Sequence, residues 1–166
     1  SGFKNPSALE EGLKLISHRG PDDSGTFFDN NLKVGLGHRR LSIIDLSKAG
    51  HQPMISNDGK VIIVFNGEIY NFRNLKSELE SVGYSFKGNS DTEVLLNLYL
   101  AEGDRMLEKL NGIFSFAIWD SRSKEIFLAR DHFGIKPMYY SSENGNFLFS
   151  SEIRALRPML DRPFEI

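Results

Sequence analysis

The chain has no cysteine among its 166 residues, which excludes disulfides and leaves it without a thiol nucleophile of its own. It also lacks long apolar runs. Nothing approaches the roughly 20 residues that span a bilayer, and the opening Ser1-Gly2-Phe3-Lys4-Asn5-Pro6 has no apolar signal core. An excess of one charge is missing too: 20 basic residues stand against 22 acidic ones, for a net charge of -2, mixed along the chain without blocks. That balance gives no footprint for nucleic acid or anionic lipid. The 4 histidines are scattered with no paired helical spacing, so no metal site is expected. Gly35-Leu36-Gly37 is too short a glycine pattern to cradle phosphate. A soluble cytoplasmic protein with a small-molecule or protein partner is the expectation.

What is present suits one domain: 40% hydrophobic and 11% aromatic residues over this length can build one substantial core. Ser7-Ala8-Leu9-Glu10 reads as a capping box opening a first helix, with Leu9, Leu13 and Ile16 on one face and an end near Ser17. Residues 31–44 alternate enough for one or two strands, and Lys60 to Phe65 is a β-branched run of the buried-strand kind. Phe72 to Val82 has helical spacing through Leu75, Leu79 and Val82, with Gly83 placed to end it. Ser90-Asp91-Thr92-Glu93 is a second capping box, opening a helix through Leu95, Leu96, Leu98 and Tyr99 that stops around Gly103; a short helix near Met106 to Leu110 follows. Beyond it, Ile113 to Trp119, Ile126 to Ala129, Pro137 to Tyr140 and Phe147 to Phe149 suggest an antiparallel meander. Helices and strands come in blocks rather than βαβ units, which predicts an α+β fold of sheets covered by helices. Residues 157–166, with two prolines, look like the start of a connection to something more.

Several strings carry more than secondary structure: His18-Arg19-Gly20-Pro21-Asp22-Asp23-Ser24-Gly25, Gly37-His38-Arg39-Arg40-Leu41-Ser42-Ile43-Ile44-Asp45, Asn66-Gly67-Glu68-Ile69-Tyr70-Asn71, and Ser90-Asp91-Thr92-Glu93. Together they resemble the glutamine-hydrolysing domain of glutamine-dependent asparagine synthetases, the class II amidotransferases with an N-terminal nucleophile, over nearly the whole chain. The resemblance implies the four-layer α/β/β/α sandwich of stacked antiparallel sheets found in N-terminal nucleophile hydrolases. It implies glutamine as substrate, hydrolysed to glutamate and ammonia, with ammonia passed to an ATP-dependent synthetase domain of the same polypeptide that uses aspartate. The Ser-Gly-Gly-x-Asp-Ser type loop for ATP is absent, so no cofactor is expected in this domain; ATP and magnesium belong to the synthetase domain. A homodimer of the full-length protein stays open.

By the same resemblance, Asn66 and Gly67 form the oxyanion hole, through a side-chain amide and a backbone N–H. Read alone, Asn-Gly after a strand is simply a turn. Arg40 matches the arginine gripping the α-carboxylate, a task suited to a guanidinium fork, although an arginine in such a pair is ordinarily a solvated charge. Leu41 and Ile43 match backbone and wall contacts to the substrate. Glu68 and Asp91 match the groups that bind the α-ammonium; Asp91 is equally explained by the helix macrodipole, and Glu68 as a rim charge. The 18–25 string reads as a rigid loop in which Asp22 and Asp23 satisfy local donors. Asp131-His132-Phe133-Gly134-Ile135-Lys136-Pro137 is either a structural turn or part of a face toward a synthetase domain.

The family's nucleophile is a cysteine at the mature terminus, whose α-amino group, with a pKa of about 7.7 to 8, serves as base. Ser1-Gly2-Phe3 fits the last part of the family's Cys-Gly-Ile-x-Gly opening. Domain 1–166 therefore reads as truncated before residue 1, and inactive as written. Ser1 as nucleophile, or a non-catalytic glutamine-binding or interaction module that lost its cysteine, are the alternatives.

Overall fold

The computed structural model describes residues 6–41 and 50–160. Its centre is an antiparallel sheet in the order β3-β4-β5-β6, formed by Met54–Ile55, Val61–Ile69, Gly112–Asp120 and Glu125–Arg130. Strand alternation sorts its side chains onto two faces. Val61, Ile63, Phe65, Phe114, Phe116 and Ile118 pack against Leu75 and Leu79 of α2 (Phe72–Ser81) and Val94, Leu95 and Leu98 of α3 (Asp91–Glu102). Ile62, Val64, Ala117 and Trp119 pack instead on Leu36, Phe27 and Phe149 of a second β layer.

That layer consists of two separate hairpins, β1 (Asp23–Asp29) with β2 (Val34–Arg40) and β7 (Tyr139–Glu143) with β8 (Asn146–Ser150). α1 (Pro6–Leu15) and the short α4 (Ile153–Leu156) close the stack, joined through Leu13, Ile16 and Ala155. The expected α/β/β/α layering is present. Fully burying side chains such as Ile63, Ile118 and Leu95 contributes about 1.5–3 kcal/mol each.

Several local expectations need correction. α1 begins at Pro6, a residue pre-set for the first helical position, so Ser7 lies in the first turn rather than at the cap. Val82 is 71% exposed, because α2 ends before it: Tyr84 N–H donates to Leu79 O and Gly83 N–H to Glu80 O, a Schellman closure with Gly83 at φ 97°. Ser90 caps α3 by accepting from Glu93 N–H at 3.3 Å, but the Glu93 carboxylate does not reach back to it. It takes Lys87 N–H and Gly88 N–H at 2.7 and 2.9 Å, fastening the loop before the helix. The C-terminal strands are not one meander, since β5 and β6 join the central sheet whereas β7 and β8 pair only with each other among the described residues. Arg157–Met159 is a 3₁₀ turn following α4.

Candidate functional site

β4 runs on through Asn66, Gly67 and Glu68 to Ile69, paired throughout with β5. Asn66-Gly67 is therefore strand, not turn. Gly67 is required by crowding: it faces Phe114, and a Cβ there would overlap the Ile113 carbonyl oxygen. Phe65 and Ile69 turn their backbone groups away from β5, toward Gln52 and Asp91 respectively. Alternation presents the Gly67 N–H along that same edge.

Asp91 stands at the start of α3, 6% exposed, and accepts Ile69 N–H at 3.2 Å. Burial raises its pKa, and the charge of Glu68 pushes the same way, against three backbone N–H groups that favour the carboxylate. Glu68 itself is exposed. The result is two carboxylates in electrostatic contact beside the Gly67 edge, one of them under-compensated, an arrangement that favours a cation between them.

The C-terminal end of β2 approaches from the other layer. His38 Nε2 donates to the Phe65 carbonyl at 2.9 Å, so β2 meets β4 one residue before Asn66. Leu36, His38 and Arg40 share one face of β2, and Arg39 lies on the opposite face. Burial drives the His38 pKa down from 6.5 to about 4, with the Arg40 charge acting in the same direction. The neutral ring donates through Nε2, and its buried Nδ1 has no hydrogen-bond partner among the described residues. Arg40 also lies near Asp23, whose carboxylate accepts from His51 Nδ1 at 2.7 Å. Burial would raise the Asp23 pKa, but the bonds from His51 and Ser24 N–H outweigh it and lower it.

Behind Asn66, a cavity of about 520 Å³ opens between the two hairpins, beneath α1 and α4. His38, Arg39, Asn66 and Ser115 line one part of it, and Asn146 and Phe149 line another. Arg39 Nε and Asn146 Oδ1 are buried without partners among the described residues. Arg39 is half-buried, with its Nε beneath the surface. Leu41 is 54% exposed just past β2; Ile43 lies outside the described residues. Asn66, Gly67 and Glu68 on β4 are brought beside Asp91 at the start of α3 by the Ile69 N–H bond to its carboxylate, whereas Arg40 ends β2 with its charge near Asp23 and His38. Sequence reasoning missed His38, Gln52 and Thr92, which touch Phe65 or each other. Gln52 carries no signal at all in its string. No helix among the described residues is long and apolar enough to cross a membrane, and no cluster of ligating side chains there could hold a metal ion.

A family model described as a glutamine amidotransferase domain matches residues 2–166. The chain is 48% identical to asparagine synthetase [glutamine-hydrolyzing] 1 of Bacillus subtilis, covering 86% of this chain and 22% of the relative. It is 41% identical to asparagine synthetase B [glutamine-hydrolyzing] of Escherichia coli, over 88% of this chain and 26% of the relative. Amidase chry2 of Gibberella zeae is similar at 43% identity, with 89% and 22% covered. The chain thus spans roughly a quarter or less of these relatives. Among solved structures, glutamine phosphoribosylpyrophosphate amidotransferase from B. subtilis shares the fold, with a TM-score of 0.78 at 24% identity, over 93% of this chain and 41% of that one.

Proposed function

The chain belongs to the glutamine amidotransferase domain family, and from that premise we propose that it serves a glutamine-dependent asparagine synthetase by hydrolysing glutamine to glutamate and ammonia. The observation that carries this reading is the buried Asp91 carboxylate, its pKa raised by burial and by the charge of Glu68, beside the Gly67 edge; Arg40, the last residue of β2, is assigned to the same ligand. The two carboxylates take the α-ammonium and Arg40 the α-carboxylate, so the side-chain amide extends along β4. There the Asn66 amide and Gly67 N–H receive the oxygen that becomes charged when the carbonyl is attacked, donors worth about 2.7–4 kcal/mol each in other enzymes. Leu41 and Ile43 contribute contacts to the same ligand.

The attacking group in this reading is a cysteine outside these 166 residues, whose sulfur forms a γ-glutamyl thioester while its free α-amine carries the proton to the departing ammonia. The chain alone is therefore inactive as a glutaminase. Ammonia passes to an ATP- and magnesium-dependent synthetase domain of the same cytoplasmic polypeptide, a homodimer in its full-length form, with aspartate as acceptor. The absence of cysteine favours one rival, a glutamine-binding or interaction module without chemistry. Glutamate release by the complete protein distinguishes the two.

Calorimetry with glutamine tests the site directly. Arg40→Ala is expected to weaken binding by about 2–5 kcal/mol, the usual cost of breaking a desolvated charge-assisted contact. Arg39→Ala, on the other face of β2, should change it far less. No binding by the unaltered chain, or equal losses in both variants, overturns the assignment.

A further inference from the structure

β3 covers β4 only at Ile62 and Ile63. Past that point the outer edge of β4 needs other partners for the backbone groups of Phe65, Gly67 and Ile69. Ile69 N–H goes to Asp91. Both groups of Phe65 go to one side chain: Gln52 Oε1 accepts from Phe65 N–H at 2.6 Å, and Gln52 Nε2 donates to Phe65 O at 3.2 Å. This is the two-bond exchange of an antiparallel residue pair, made by a carboxamide in place of a strand. Gln52 Nε2 also donates to Thr92 Oγ1 at 3.3 Å, tying the edge to the residue after Asp91. His38 adds a second donor to the Phe65 carbonyl, and Gln52 is only 6% exposed.

We infer that Gln52, assisted by His38, is a positioning residue that takes the place of a neighbouring strand, none of which pairs β4 at Phe65 on this edge among the described residues, and holds the Asn66 side chain and Gly67 N–H in their aim. It touches no substrate in this reading, which rests on the proposed oxyanion role of those two groups. The need is geometric. Catalytic donors must be held to about 0.5 Å and 10–20°, and β4 at 66–68 has a ladder on one side only, to β5, so its outward-facing groups need anchors of their own. The carboxamide supplies one rung on the residue before Asn66, while Asp91 supplies the next on Ile69. The segment 66–68 is thereby spanned between two fixed points, one of which also fixes the start of α3.

Gln52→Glu separates positioning from mere stability, because it is nearly isosteric. When protonated, the introduced carboxyl accepts from Phe65 N–H and donates its O–H to Phe65 O, as the carboxamide of Gln52 does. The ionised form has no donor and sets a charge against that carbonyl. The titratable and charged groups on the elements packed around this position are His38 on β2, Asp91 on α3, Glu68 on β4, and His51 with Asp23 and Arg40; the unaltered chain recorded over the same pH series subtracts their contributions. Backbone and side-chain amide NMR is the measurement. Gln52→Glu and Gln52→Met should both displace the Gly67 N–H and Asn66 side-chain signals, leaving Ile126 and Leu128 on the far strand unmoved. Only Gln52→Glu should recover as pH falls through the titration of its new carboxyl. Thr92→Val, which keeps the Phe65 bonds and frees Gln52 from α3, should displace the same signals less, and it decides the matter if the position-52 variants do not fold. Glutamine affinity should fall no more than about threefold in Gln52→Glu, since Arg40, Glu68 and Asp91 hold the ligand. Gly67 and Asn66 signals unchanged in folded variants, with only the melting temperature lowered, would overturn the inference. Failure of the unaltered chain to bind glutamine would instead overturn the oxyanion reading, leaving the coupling of Gln52 to Gly67 to be judged from the same spectra.

Discussion

Asp91 and Asp131 are each 6% exposed, and each accepts a backbone N–H from the central sheet, yet their acidities move in opposite directions. At Asp131, burial would raise the pKa, but bonds from Lys136, Ile135, Phe114 and Phe133 N–H, at 2.9–3.2 Å, outweigh it and lower it. At Asp91 burial wins, with Glu68 reinforcing it. Asp131 is saturated: it folds the 131–136 loop around itself, and Arg130 closes the loop from outside by donating to the Lys136 and Gly134 carbonyls. Asp91 keeps unmet demand for positive charge. At like surface exposure the two differ in how deep the carboxylate lies and in how many N–H groups bond it: Asp91 is the deeper, and Asp131 is bonded by four N–H groups from its own loop and β5.

Exchanging each for asparagine should give opposite results, and this is the largest effect expected. Asp91→Asn removes a charge that is disfavoured in the fold, so stability at pH 7 should hold or rise, while glutamine binding should weaken by about 2–5 kcal/mol. Asp131→Asn should destabilise, because its NH₂ would face Phe114 and Lys136 N–H groups, donor against donor; glutamine affinity of the folded protein should hold. The lowered pKa of Asp131 contributes stability above its unfolded value that is lost as pH falls through the folded one. Acid unfolding should therefore flatten in that variant. Denaturant titrations and calorimetry on both proteins make the comparison, and matching losses in both would dissolve the distinction.

His38 sharpens it as a half-buried side chain with one met nitrogen and a buried, unmet Nδ1 among the described residues. Its pKa is depressed to about 4 from 6.5, so below pH 6.5 the unfolded chain takes up a proton that the fold refuses. Stability should fall as pH drops from 6.5 to 4 and level off below. The contribution is roughly 3 kcal/mol. His38→Gln, which can still donate to Phe65 O, should lose that part of the pH dependence. An unchanged slope would mean that the ring is more hydrated than its surroundings indicate.

Much of this was legible in the sequence. Leu9, Leu13 and Ile16, the run 61–65, and Leu75 with Leu79 all announce their buried faces through periodicity, and Ser90 its cap. Periodicity cannot show where a helix stops short, so Val82 falls on an expected buried face that it does not reach. Nor can it show that β4 continues through Asn66-Gly67, because local turn preference competes with nine residues of pairing to β5. The site residues are legible only as strings resembling a family. Gln52 stays hidden for a plain reason: a buried carboxamide replacing a strand is a tertiary arrangement, with no spacing of its own to read.

The smallest predicted effect tests why Asp91 is poised at all. Glu68 is exposed, so its direct hold on an ammonium is screened, and an exposed charge pair contributes about 0–1 kcal/mol. Glu68→Gln should therefore weaken glutamine binding only a few-fold at neutral pH. Its second effect runs through Asp91. Losing the like charge removes one of the two influences that raise the Asp91 pKa, while burial, the larger, remains. Binding of an ammonium needs the Asp91 carboxylate ionised, so affinity should fall as pH drops through that pKa, and in Glu68→Gln this acid edge should move to lower pH. Glutamine affinity measured from about pH 3.5 to 7 in both proteins follows it, a range that brackets ordinary and raised carboxyl values. An edge that stays in place while neutral-pH affinity drops would make Glu68 a direct ligand only; an edge that moves upward would remove Asp91 as the group that binding titrates.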